Sequence, residues 1–491
     1  MLKVLPRWST LILVFPLCIA LIFAASYAPA AHASIGGFTF TNFELSKITG
    51  TTCPGSSNCS NTESEPQIRA DRSGNFYGSS ENGLGGGTVA YKSSDGGKHY
   101  TTLVSPNAGS ASNNSGFAPG GGDTDLATAP VKNSSGFYNV YVASLSLANV
   151  DVSASMDGGK TFVLNPIGAT ISGDDREWIA ADGSSKVCIS YHDVTTDNID
   201  VDCSYNAGLA FTQLGDAFDT SHLFLLQNNE IGNLMIDPNN HYIYQTFSGI
   251  ANAGEVSCSQ AGTCGYHVVY MAVSTDGGKT FTDHVVYNNP NTTVSYGHQF
   301  VNMSIDRAGN LYSVYSDNHN VYYSFSTNHG TSWSAPSKVN APNWGANTAI
   351  EPWSVANGTG HLDIVWYGTA YYSSTTPPDN YPMSAAWHAD FAQNLHATTP
   401  GSSFNQVAAT PVIHYGGVCE SGVGCTGNRD LYDDFGVAVN PNTGYASIIY
   451  SDDQYMNTSS NPPQSGCTAA TTNTASCDHT SIATQTYGTG I

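Results

Sequence analysis

Polar, mostly acidic side chains stand at matching places along this chain, each at the start of an alternating apolar segment: Glu65, Asp123 with Asp125, Arg176 with Glu177, Glu230, His298, Glu351, and Asp433 with Asp434. Carboxyls gathered in one place raise one another's pKa unless a cation or an arginine compensates. Three uses of such a cluster compete. A pair of carboxyls can act as acid and as nucleophile or base in cleaving a glycosidic bond, with Tyr367 and Trp344 stacking on sugar rings. Asp123 and Asp125 can give hard oxygen ligands to a structural calcium ion. The third use is binding of a glycan or protein without chemistry.

Other chemistries lack their residues. GGGDTD at 120–125 has no Walker lysine, and the segment after it is a strand where a phosphate loop requires a helix. DDREWIAAD at 174–182 lacks the helical spacing of a metalloprotease, and its Trp178 reads as core. No Gly-x-Ser-x-Gly elbow supports a serine-hydrolase triad.

The elements that must position these residues are hairpins. Seven alternating pairs recur, among them GNLMIDPNNHYIYQTF from Gly232, FVNMSIDRAGNLYSVYSD from Phe300 and DFGVAVNPNTGYASIIYSD from Asp434. Period-2 alternation around Asp/Asn/Gly turns makes each a two-stranded hairpin. After each of the first five comes SSDGGKHY (93–100), SMDGGKTF (155–162), SYNAGLAF (204–211), STDGGKTF (274–281) or STNHGTSW (326–333). In these turns Asp or Asn accepts backbone N–H groups ahead of it, Gly takes positive φ, and the aromatic packs back into the unit.

Repeated four-stranded antiparallel units with scarcely a helical pattern predict an all-β single propeller of seven blades, with six as the alternative. The seventh unit lacks a fourth strand, and the N-terminal FTFTNFELS is expected to fill it and so remove the open edges. The Ser-x-Asp turns and hairpin turns then share one face. The first residues of the innermost strands meet on the other, together with the ends of the second strands, His192 with Asp193, Asp317, and Asp452 with Asp453.

The Ser-x-Asp-x-Gly-x-x-aromatic repeat resembles the Asp box, or BNR repeat, of the sialidase-like β-propellers, and the resemblance covers residues 34–491. It implies the propeller fold and places Asp95, Asp157 and Asp276 on outer turns, away from any catalytic centre. A sialidase-like enzyme clamps its substrate carboxylate with three arginines, which bind it in bidentate fashion. Arg72 and Arg307 sit in matching turns, DRSGN and DRAGN, leaving Arg69, Arg176 and Arg429 for a clamp. Arg69 lies inside a strand without the Arg-Ile-Pro context of the family. The residues expected to carry any catalysis are Arg176, Glu177, Glu351, Arg429 and Asp434. The leading function is recognition of an extracellular carbohydrate, extending to exo-sialidase-like glycoside hydrolysis; the alternative is a non-catalytic propeller for protein or cell-surface binding.

Lys3 and Arg7 ahead of LILVFPLCIALIFAA, with AHA at 31–33, read as a secretory signal spanning residues 1–33, so the chain is expected outside the cell without stable membrane insertion. With 38 acidic against 15 basic residues and a net charge of -23, nucleic acid and anionic membranes are poor partners. Of 11 cysteines, Cys18 lies in the signal and ten form close pairs, whose spacings suit disulfides better than zinc. Non-reducing peptide mapping should therefore give five local crosslinks: 53–59, 188–203, 258–264, 419–425 and 467–477. Any long-range crosslink would overturn this reading.

Overall fold

Seven antiparallel sheets surround one axis in the computed structural model, which describes residues 37–45, 64–81, 86–107, 120–146, 149–297, 300–340, 347–421, 425, 431, 433–453 and 479–491. Residues 1–33, expected to be a signal, and Cys53, Cys59, Cys467, Cys477, His298, Trp344 and Arg429 lie outside the described residues. The innermost strands of blades one to seven are Ser64–Ala70, Thr124–Lys132, Asp174–Asp182, Asn229–Ile236, Asn302–Ile305, Thr348–Ala356 and Gly436–Val439. Each blade has four strands in simple antiparallel order, and the sixth adds a short strand, His414–Tyr415, beside Ala386–Asn394. The ring has seven blades, not six.

Two-sided burial explains why the strands read so apolar. In Val268–Ser274, Val268, Tyr270 and Ala272 enter one hydrophobic cluster while Val269, Met271 and Val273 enter another. Alternate side chains thus face alternate neighbouring blades, as strand geometry dictates. Each buried large aliphatic contributes about 1.5–3 kcal/mol. At the rim the pressure relaxes, and the outer strand Thr212–Asp216 has no fully buried residue.

The turns closing the third and fourth strands of blades one to five share one hydrogen-bond pattern. Asp276 Oδ1 accepts the Lys279 and Thr280 amides at 3.0 and 3.1 Å, and Ser274 Oγ accepts the Gly278 amide at 2.8 Å. Gly277 and Gly278 take φ of 87° and 103°, where a side chain would be strained. In the Asn copies the amide oxygen accepts one backbone N–H, Ala210 N at Asn206 and Ser332 N at Asn328, besides the hydroxyl of Ser204 or Ser326. Burial disfavours the Asp276 carboxylate, but hydrogen bonds from Thr280, Ser274 and Lys279 outweigh it and hold the group at about 2.

Thr39–Glu44 pairs antiparallel with His479–Tyr487 and completes the seventh blade from the opposite end of the chain. Phe38 and Phe40 reach sideways to Phe391 of blade six, with ring centroids 5.2 and 5.1 Å away, and Phe43 leans on Tyr100 of blade one at 6.0 Å. Among the described residues three disulfides are present: Cys188–Cys203 across directly opposed strand residues, Cys258–Cys264 and Cys419–Cys425. Disulfides persist in oxidising compartments. Among the described residues no helix is long and apolar enough to cross a membrane.

Phe38 is 4% exposed, so Phe38→Ala should cost about 3–5 kcal/mol in urea unfolding. An unchanged midpoint would show that closure does not depend on this wedge.

Candidate functional site

The innermost strands begin irregularly, and the irregularity is repeated. In blades one, three and six the strand carries an extra residue opposite its neighbour, between Ser64 and Gln67, Asp175 and Glu177, and Ile350 and Trp353. At these bulges Glu65, Arg176 and Glu351 take φ of 42°, 47° and 50°. Left-handed backbone at a residue other than glycine costs on the order of 1–3 kcal/mol and persists where the surroundings over-determine it. A bulge re-aims side chains, and these three are all buried.

Arg176 lies at the centre of the cluster. Its Nη2 is 2.6 Å from Asp434 Oδ2, and its Nη1 is 3.6 Å from Glu65 Oε2 and 3.7 Å from Asp123 Oδ2. The guanidinium stacks on Trp178 at 4.1 Å and Phe300 at 4.5 Å. Burial alone would push its pKa down, but Asp434, Asp123, Glu65 and Glu177 raise it above the usual arginine value. A circuit continues from there across the axis. Gln67 Nε2 donates to Asp434, Arg69 Nη1 donates to Gln67 Oε1 at 3.0 Å, and Arg69 Nη2 meets Asp125 Oδ1 at 2.7 Å. Asp125 Oδ2 then accepts the amide of Ile179, in the strand that carries Arg176. Blades three, seven, one and two are joined in a closed loop.

The carboxyls form two tiers. Glu65, Glu177, Glu351, Asp125 and Asp434 are buried, whereas Asp175 is exposed and Asp123, Glu230 and Asp433 are half-buried. Burial raises Glu177 and Glu351 well above the ordinary glutamate value, helped by Asp123 and Glu420 respectively. Burial also lifts Asp434 to about 6, against the pull of Arg176 and Gln67. Glu230 reaches about 8 through burial and repulsion from Asp175, Asp433 and Asp197.

The structure therefore brings Arg176, Glu177 and Asp434 into one neighbourhood, with Glu351 near Asp433 and Asp434. It engages Asp125 fully, through Arg69, Leu126 N and Ile179 N. Other residues placed at the mouth by sequence have local duties. Asp193 and Asp317 accept amides of the turns that follow them, and Asp453 pairs with buried His414 at 2.8 Å. Tyr367 is fully buried, stacked on Phe435 at 4.0 Å, so it offers no face to a sugar. An exposed aromatic takes that place on the same face: Tyr372, 49% exposed, stacks on His319 at 4.3 Å. Gln67 and the left-handed bulges were not anticipated, although Glu-Pro at 65–66 and again at 351–352 marks two of them.

At the far ends of the innermost strands a separate cavity of about 300 Å³ is walled mainly by apolar residues such as Ala127, Ile179, Met235 and Val437, with Arg69 and Trp353 also on its wall. The titratable cluster lies at the other ends of these strands.

No protein-family model and no curated protein matches the chain. Among solved structures, the GH93 α-L-arabinofuranosidase of Fusarium graminearum in complex with arabinobiose is similar, at 11% identity over 91% of this chain and 98% of that one, with a TM-score of 0.46. The GH74 xyloglucanase of Xanthomonas campestris gives 13% identity, 85% and 54% coverage and a TM-score of 0.48. The fucose-specific lectin of Aleuria aurantia gives 11%, 70% and 93%, and 0.40. The likeness lies in the fold, and at these identities and scores it says nothing of substrate.

Arg176→Met leaves buried carboxylates uncompensated and should cost about 3–5 kcal/mol. Without the arginine those carboxyls bind protons more tightly in the native state than in the unfolded one, so the deficit should grow from pH 5 to pH 8. In the native protein Asp151 and Asp174, both raised by burial to about 7, and Glu230 at about 8 likewise hold protons that the unfolded chain releases. Stability should therefore fall as pH rises from about 4 to about 8, and below that window the turn aspartates lose theirs as pH drops toward about 2. Thermal melts against pH should peak on the acid side, at about pH 4–5; a maximum at pH 8 would contradict the assignment.

Proposed function

We propose that the axial mouth recognises an extracellular neutral glycan and that Glu230, with Asp433 as the second carboxyl, cleaves a glycosidic bond there. The observation that carries this reading is the accessible tier. Glu230 keeps its proton at neutral pH, which suits a general acid, and it is half-buried beside other carboxyls and not sealed beneath them. Arg176, Glu177, Glu351 and Asp434 lie below and set the field in which Glu230 works. Tyr372 on His319 offers a flat aromatic face of the sort that packs on a sugar ring.

The Asp-box turns support descent from the sialidase-like propellers, yet the charge at the mouth argues for a neutral sugar over a sialoside. Arg69 is already bound to Asp125 and Arg176 to Asp434, each at hydrogen-bond distance. A net charge of -23 repels anionic glycans as well.

Turnover of a panel of chromogenic glycosides, including a sialoside, tests the proposal. A neutral glycoside should be cleaved, and Glu230→Gln should lower kcat by about 10²–10⁴-fold with the melting temperature held or raised. Cleavage of the sialoside alone would overturn the neutral-sugar reading. Glycan-array binding without turnover would leave recognition and remove the hydrolysis.

A further inference from the structure

We propose a calcium site between blades one and two, with Glu65, Glu81 and Asp123 as carboxylate ligands and the buried Glu177 beside Asp123. Glu65 is the second residue of the innermost strand of blade one, Glu81 ends the second strand beside it, and Asp123 immediately precedes the innermost strand of blade two. One carboxylate oxygen from each of the three lies within 4.8 Å of the others. That is the spread expected of oxygens about 2.4 Å from a common calcium ion.

Charge supports the same place. Arg176 Nη1 stands 3.6 and 3.7 Å from Glu65 and Asp123, beyond hydrogen-bond range, and its short contact goes to Asp434. Arg176 thus gives neither of these two carboxylates a direct hydrogen bond. Glu177 gives an independent sign. It is fully buried, neither of its oxygens has a hydrogen-bond partner, and Asp123 is the charged group acting on it most strongly. A buried carboxyl without a donor is costly and calls for a cation or a proton.

The donor set is oxygen only, which suits calcium over zinc or copper. Half-exposed Asp123 gives the ion a route from solvent and leaves room for water ligands. Sequence spacing had pointed to Asp123 with Asp125, but both Asp125 oxygens are taken by Arg69 and two backbone amides. The geometry moves the partnership to Glu65 and Glu81, where Ser64 Oγ steadies Glu81 at 3.1 Å.

The test is equilibrium dialysis of the EDTA-stripped protein against radioactive calcium, beside thermal melts. A single ion should bind per chain, and saturating calcium should raise Tm by about 2–4 °C, with magnesium giving less. Glu81→Gln and Asp123→Asn should each lose calcium binding at least tenfold. In EDTA both variants should melt at or above the wild type, because a repelling charge is gone; that separates lost ligation from misfolding. Absence of bound calcium in the wild type, or equal binding by both variants, overturns the site.

Discussion

A buried guanidinium in contact with carboxylates from three other blades is the constraint on which the axis depends. Arg176 cannot be hydrated where it lies, so Asp434, Glu65 and Asp123 must come to it. To bring them there, the first residues of innermost strands turn into left-handed backbone and bulge away from regular pairing. The circuit through Gln67, Arg69 and Asp125 to the Ile179 amide then ties Arg176's own strand back to itself through its neighbours. The strained conformations and the ion pairs are two aspects of one arrangement.

The same carboxyl group behaves in opposite ways at the two faces. On the outer turns Asp276 is ringed by N–H and hydroxyl donors and holds its charge down to about 2. On the axis Glu230 meets burial and the carboxyls Asp175, Asp433 and Asp197, and its proton stays on to about 8. The supply of donors, more than the count of acids, separates a structural carboxyl from one able to move a proton.

Much of the fold was legible because it repeats. Period-2 alternation, the Asp/Asn turns and a seventh unit short of one strand were enough to place the seven blades and the closing role of the N-terminal segment. The mouth was legible as a set of positions, since the topology alone gathers Glu65, Arg176, Glu230, Glu351 and Asp434. Which of them face solvent was not. That depends on bulges set by pairing between distant segments, and a shift of one residue sends a side chain to the other face. The surroundings of Asp125 and Tyr367 escape local pattern for the same reason: their partners, Arg69 and Phe435, come from other blades.

Completion of the seventh blade by Thr39–Glu44 has a kinetic meaning. The two segments that meet there lie more than 400 residues apart in sequence, and closing a loop of that length carries an entropy cost of about 5 kcal/mol. Six blades can pair from local hairpins as the chain emerges, but the ring stays an open crescent until its last strand arrives. During that interval the faces of blades one and six that the seventh blade covers stay open to water, and the speed of that final annealing sets how long they stay so.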